Sequence, residues 1–236
     1  MSFQGRSVLA IVPARGGSRG IPRKNLCKIG GLSLVARAGR MADALGFVDL
    51  AILSTDDEEI ADEGRRAGLE VPFIRPPDLS GDRATAIATW QHAWLEAEAF
   101  RGQRFDLSVW LEPTSPLRRP EDVTRTVEAL CAAGSRAAMT VSPIPAHMAP
   151  ERALCVEADG RIRAFVPDGF SYTARQAIPP RHHRNGLAYA ATRAGVLEAG
   201  DALWDDCFAV VVDRPTANID EQIDLEWAAF LLAREN

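Results

Sequence analysis

The chain has 236 residues, 47% of them hydrophobic and 25% charged, the balance of an ordinary globular protein and enough for one domain or one with an appendage. Twenty-seven cations against 32 acids leave a net charge of −5, which argues against a general nucleic-acid binder. No apolar run reaches the roughly 18 residues of a membrane span, and the N-terminus carries no signal-peptide core or cleavage site, so the sequence predicts a cytoplasmic protein with no membrane partner.

Ser7–Val12 is a short apolar run ending at Pro13 and suits a buried strand. A Gly-rich loop follows, and then Leu32–Leu45 reads as a helix. Leu50–Ser54 is a second strand. Asp56-Asp57-Glu58-Glu59 opens a helix with acids in its first turn, where they complement the positive end of the macrodipole. Val71–Ile74 predicts a short strand before Pro76-Pro77. Ile87, Trp90, Trp94 and Ala97 recur at helical spacing in an amphipathic helix over Thr85–Phe100. Leu107–Leu111 is a strand, Pro120 begins a helix running to Ala133, and Ala137–Val141 is the next strand. Strands alternating with helices predict an α/β fold, a Rossmann-like, mostly parallel sheet with helices on both faces.

The rhythm breaks near Pro143. Residues 143–181 hold six prolines, and Asp159-Gly160 between Leu154–Glu157 and Arg161–Phe165 is a hairpin signal. We read 143–186 as an antiparallel arm inserted within a single domain of residues 1–236. It has too few large apolar residues for a core of its own. The α/β rhythm returns with the strand Leu187–Ala191, a helix from Arg193, the strand Phe208–Val212 and a C-terminal helix. There Ile223, Trp227, Phe230 and Leu231 share one face.

In parallel sheets ligands bind beyond the carboxyl ends of the strands, which directs attention to 13–25, 54–57 and 112–118. The first is Pro13-Ala14-Arg15-Gly16-Gly17-Ser18-Arg19-Gly20-Ile21-Pro22-Arg23-Lys24-Asn25. Its glycines let backbone N–H groups face a ligand closely, and four cations with no acid nearby in the sequence fit a polyphosphate. It matches neither the Walker A loop nor the dinucleotide fingerprint. The cations of the chain are 25 Arg and only two Lys, and one of these, Lys24, lies here; Lys28 reads as a surface residue. Residues 1–40 hold eight cations and no acid, whereas 201–236 hold nine acids and two cations. We read the asymmetry as two halves of one site. Cys27, Cys131, Cys155 and Cys207 are too scattered for a metal knuckle or a redox pair.

The PARGGSRGIPRKN loop resembles the signature of the acylneuraminate cytidylyltransferases, the CMP-sialic acid synthetase family. Further similar segments follow in the family's order: STDDEEIA at 54–61, VPFIRPPDL at 71–79, PTSPLR at 113–118, NGLAY at 185–189 and NIDEQIDL at 218–225. The resemblance implies transfer of CMP from CTP to a sialic-acid-like 2-keto sugar acid with release of pyrophosphate. It also implies Mg²⁺ as cofactor and a homodimer whose arm reaches toward the partner's site. Related possibilities are another acid acceptor, a shorter keto-deoxy sugar or a phosphonate, and a nucleotide-binding homologue without turnover.

Residue by residue, the resemblance places the nucleotide on Ala14, Arg15, Gly16, Gly17, Ser18, Arg19, Lys24, Asn25, Arg75, Ala84 and Thr85. It places the sugar on Glu112, Pro113, Thr114, Ser115, Arg118, Arg175, Gln176, Asn185, Gly186 and Tyr189. Arg15, Lys24 and Asp220 would be catalytic, and Asp220, Asn218 and Glu112 would surround the metal. Two positions depart from the family pattern. Asn218 stands where the family's D-I-D has its first acid, and Glu112 where its Q-P-T-S-P has an amide. Glu112 would then either restore a carboxylate to the metal or meet an altered acceptor.

Overall fold

The computed structural model describes residues 3–18 and 20–235. Its centre is a six-stranded sheet in the order β10-β6-β9-β5-β1-β4. The strands are β1 (Val8–Pro13), β4 (Leu50–Ser54), β5 (Leu107–Trp110), β6 (Ala137–Pro143), β9 (His182–Thr192) and β10 (Cys207–Val211). β1 pairs in parallel with both β4 and β5, and β9 runs antiparallel to β5. The sheet is mostly parallel and carries helices on both faces.

Alternation along β1 shows how the sequence builds two cores. Val8, Ala10 and Val12 face one side, against α1 (Leu34–Ala44), α2 (Glu58–Arg66) and α4 (Pro120–Ala133). Leu9 and Ile11 face the other, against Trp90 and Trp94 of α3 (Ala86–Arg101) and Val196 of α5 (Arg193–Ala199). Such strands read as continuous apolar runs because both faces are covered. Side-chain caps set the helix starts: Ser33, Asp57, Thr85 and Thr192 accept from the backbone N–H three residues on.

α1 therefore begins two residues later than the sequence suggests. Leu32–Ser33 (β3) instead pairs with Lys28–Ile29 (β2) across Gly30 and Gly31, both at positive φ. The strand expected over Val71–Ile74 is absent. Glu70 makes one parallel bridge to Ile52, donating to the Ala51 carbonyl and accepting from the Leu53 amide. The next inward donor of such a ladder would be residue 72, and Pro72 has no N–H. In the C-terminal helix α6 (Gln222–Glu235) Leu231 leaves the face it was expected to share with Ile223, Trp227 and Phe230. The packed side of α6 is Leu225, Ala228, Leu231 and Leu232, whereas Ile223, Trp227 and Phe230 are exposed. Trp227 stacks on Phe230, and the Arg234 guanidinium lies 5.0 Å from the Phe230 ring centre. No helix among the described residues is long and apolar enough to cross a membrane.

By its internal contacts the chain divides into two units. One comprises Met1–Thr140, Asn185–Val210 and Pro215–Asn236; the other comprises Val141–Arg184 and Val211–Arg214. The second unit contains the hairpin β7 (Leu154–Val156) and β8 (Ile162–Ala164), turned at Gly160 with φ 83°. Buried Glu151 accepts from Arg181 there, while Met148, Val156, Phe165 and Phe170 stay exposed.

Candidate active site

A cavity of about 630 Å³ opens beyond the carboxyl ends of β1 and β5 in the first unit. The Gly-rich loop after β1 forms one wall and is fixed at several points. The Gly16 amide donates to Asp56 Oδ1 at 2.8 Å, and a Cβ at Gly16 would press on the Asp57 carboxylate. Buried Asn25 donates from Nδ2 to the Arg15 carbonyl at 3.0 Å, drawing the loop's two ends together.

The loop has no acid near it in sequence, but in space each of its described cations meets one. Arg23, at φ 55°, leaves the cavity to form a two-pronged pair with Asp57 at 2.8 and 3.0 Å and a further pair with Glu59. Arg15 approaches Asp82 at 3.4 Å. Lys24 Nζ donates to the Ile219 carbonyl at 2.7 Å and to Asp220 Oδ1 at 2.9 Å. Arg15 and Lys24 line the cavity, whereas Arg23 does not. The Lys24 bonds join the basic N-terminal loop to the acidic C-terminal segment.

That junction is tight. A Cβ at Gly20 would overlap the Asp220 carbonyl oxygen. Gly20→Ala must push the two segments apart, and a displacement of about 1 Å at a reacting centre costs on the order of 10²-fold in rate. The expected result is a fall of that size in kcat/KM with little change in the urea midpoint; unchanged kinetics would show the junction to be irrelevant.

Arg75 forms another part of the wall. It is only 5% exposed, and its Nε and Nη2 find no hydrogen-bond partner among the described residues. Asp56 Oδ1 lies 3.9 Å from Nη2. Burial lowers the guanidinium pKa, the Asp56 charge opposes that shift, and Arg15 adds to it. Asp56 offsets the charge but leaves these donors unbonded, so they suit an acceptor within the cavity.

The loop after β5 supplies Glu112, Pro113 and Thr114 to the cavity. Arg118 holds this loop from below. Its guanidinium donates to the carbonyls of Glu112 at 2.7 Å, Gly186 at 3.3 Å and Leu187. Burial, opposed by Glu112, Asp122 and Tyr189, lowers its pKa to about 10. Arg118 therefore gives three donors to backbone and does not line this cavity. Asn185 likewise turns inward. It accepts from Thr140 Oγ1 at 2.6 Å and from the Leu187 amide. Tyr189 meets Trp204 edge to face at 6.0 Å.

Gly186 has φ 73° and no room for a side chain. A Cβ there would lie 2.6 Å from Ser115 Oγ, 3.1 Å from Glu112 Oε2 and 3.9 Å from Asn218 Cγ. The two positions that depart from the family pattern thus both lie beside one glycine. The Ile219 amide donates to the Thr114 carbonyl at 2.8 Å and ties their segments together.

Of the residues singled out from sequence, Arg15, Ser18, Lys24, Asn25, Arg75, Ala84, Thr85, Glu112, Pro113, Thr114 and Asp220 line this cavity. Ala14, Gly16 and Gly17 belong to its loop but not its lining. Arg19 lies outside the described residues. Arg175 and Gln176 are exposed in the second unit. Sequence reasoning missed Asp82, Trp110 and Glu221, which also line the cavity. The acids following Asp220 in the sequence were the signal for Glu221; Trp110, in mid-strand, gave none.

A cytidylyltransferase family model matches residues 9–199. The chain belongs to the cytidylyltransferase family. It is 30% identical over 225 residues to the pseudaminic acid cytidylyltransferase of Campylobacter jejuni, covering 94% of this chain and 95% of that protein. It is 29% identical over 230 residues to the post-translational flagellin modification protein B of Campylobacter coli, covering 97% and 96%. With the CMP-N,N'-diacetyllegionaminic acid synthase of Legionella pneumophila it shares 28% over 225 residues, covering 94% and 93%. Among solved structures, a CMP:2-keto-3-deoxy-manno-octonic acid synthetase complexed with CTP superposes with a TM-score of 0.70 at 19% identity. That match covers 98% of this chain and the whole of the other, and it places the cytidylyltransferase on a shared fold.

Proposed function

We propose that this cytidylyltransferase condenses CTP with a nonulosonic acid, a nine-carbon 2-keto sugar acid of the sialic, legionaminic or pseudaminic kind, giving a CMP-sugar and pyrophosphate. The acceptor class rests on relatives named for pseudaminic and diacetyllegionaminic acids, each spanning nearly the whole chain. The observation that carries the nucleotide is Arg75, a buried guanidinium with two unpartnered donors in the cavity wall.

In this reading Arg15, Ser18 and Lys24 hold the triphosphate, and Asn25, Arg75, Ala84 and Thr85 surround cytidine. The anomeric hydroxyl attacks the α-phosphorus and pyrophosphate leaves. Positioning and charge neutralisation supply most of such catalysis. No cluster of three metal-ligating side chains exists among the described residues. The cavity's carboxylates nonetheless suit Mg²⁺, which commonly binds through one or two carboxylates with substrate phosphates and water. Asp220, 73% exposed and within the cavity, is the first candidate ligand, with Glu112 the second. Mg²⁺ would neutralise phosphate charge. A homodimer is part of the proposal, supported by the exposed apolar side chains of the second unit.

Glu112 and Asn218 act here as one carboxylate–amide pair. Glu112→Gln removes the charge, and Asn218→Asp sets a second carboxylate beside the first. Each single variant is expected to lose about tenfold or more in kcat/KM, and the double variant to regain part of it, since residues that share one site couple by roughly 0.5–3 kcal/mol. Simple additivity of the two losses would dissolve the pair.

The function is tested by pyrophosphate release from CTP and Mg²⁺ with a panel of keto sugar acids. Release with a nine-carbon acid is expected. Release only with an eight-carbon acid would overturn the acceptor class.

A further inference from the structure

A second cleft, of about 210 Å³, lies between α1 and the loop after β5. Arg37, Arg40 and Arg118 line it, and none of its lining residues is an acid. Arg118 gives Nε and Nη2 to the carbonyls of 112, 186 and 187 and adds its charge to the cleft. Arg37 gives one donor to the Ile29 carbonyl, but its buried Nε has no partner. Ser115 is 1% exposed, and its hydroxyl also has none. Arg40 is exposed at the rim.

The like charges of Arg37 and Arg40 repel, and burial strengthens the repulsion. Burial, followed by the Arg40 charge, lowers the Arg37 pKa. A water molecule could satisfy one orphan donor but would not offset the like charges of Arg37 and Arg40. An oxyanion does both, because charge-assisted bonds to guanidinium groups are stronger than neutral ones. The remaining walls, including Ala38, Met41 and Pro116, are apolar and limit the polar volume to about one such group.

We propose that this cleft is a second anion site, separate from the nucleotide cavity, which takes a phosphate-sized oxyanion. Pro113 lines both spaces, so an anion here bears on the segment that presents Glu112 and Thr114 to the cavity. The oxyanion could be free phosphate or pyrophosphate, or the phosphate of a larger metabolite.

The test is calorimetric titration of inorganic phosphate, and separately pyrophosphate, into the full chain with CTP present and no acceptor. Saturable phosphate binding that persists under excess CTP is expected. Arg40→Gln should weaken it by about tenfold and Arg40→Glu should abolish it, in line with the strength of charge-assisted contacts. Neither change should alter the affinity for CTP, because Arg40 lies outside that cavity. Tighter binding of pyrophosphate or of a phosphomonoester than of free phosphate would point to the larger source. Phosphate binding that CTP displaces, or that both Arg40 variants retain, would overturn the proposal. Should CTP itself not bind, the Arg40 variants still decide the matter, so failure of the nucleotide assignment is distinguishable from failure of this one.

Discussion

Lys24→Met is expected to lower kcat/KM for CTP by about 10²–10³-fold, the scale seen when one preorganised donor to a developing charge is removed. Two roles meet in this side chain. Its ammonium lies in the cavity wall, with the side chain 15% exposed, and it bonds both the Ile219 carbonyl and Asp220. Methionine keeps the apolar stem and removes the charge. The Asp220 carboxylate then loses its fixed position, and the phosphates lose a cation. Lys24→Arg keeps the charge, but a planar fork cannot reproduce a compact ammonium between two acceptors, so partial recovery is expected. Steady-state kinetics with CTP titrated calorimetrically separate the two roles. A Met variant that binds CTP as tightly as the parent would remove Lys24 from the nucleotide site.

The largest effect on stability is expected at Arg118. Alanine there deprives the carbonyls of Glu112, Gly186 and Leu187 of a charged donor and leaves a hole beneath the loop. The Glu112 carbonyl keeps the Ser115 amide, so at roughly 1–3 kcal/mol for each of the other two carbonyls the loss is on the order of 2–6 kcal/mol. Arg118→Lys should recover only a minor part, since an ammonium on a shorter reach cannot serve all three carbonyls. Urea denaturation reads the change directly. An Ala variant within about 1 kcal/mol of the parent, the range of ordinary substitutions, would mean that the clamp contributes little.

Much of this was legible in the residues. The strands of the sheet are apolar runs because both faces are covered, and the helix starts carry Ser, Thr or Asp caps that the sequence displays openly. The Gly-rich loop could be placed at the end of β1 because Pro13 closes the run. Three things were hidden. The failure of the 71–74 strand depends on which residue's N–H would face β4, and that register is a tertiary fact. The pairing of Arg23 with Asp57 and Glu59 spans more than thirty positions, so a loop that looks purely basic is partly neutralised on folding. The third is the split between exposed and enclosed motif residues. PTSPLR reads as one binding segment, yet Pro113 and Thr114 face the cavity while Arg118 is spent on backbone. Helical periodicity placed Ile223, Trp227 and Phe230 on one face of α6 but did not show which side packs. Apolar spacing identifies a face, but Ile223, Trp227 and Phe230 stay exposed because the packed side is the Leu225–Ala228–Leu232 side.

In the proposed function the cavity beyond β1 and β5 binds CTP and delivers its α-phosphorus to the anomeric hydroxyl of a nonulosonic acid. The direct measurement is pyrophosphate release with CTP, and with UTP, ATP and GTP in parallel, in the presence of Mg²⁺ and sialic, legionaminic or pseudaminic acid. Release is expected with CTP and one of these acids, equimolar with the CMP-sugar formed, and far less with the other nucleotides. CTP that binds but releases no pyrophosphate with any of the acids, or release that prefers another nucleotide, would contradict it.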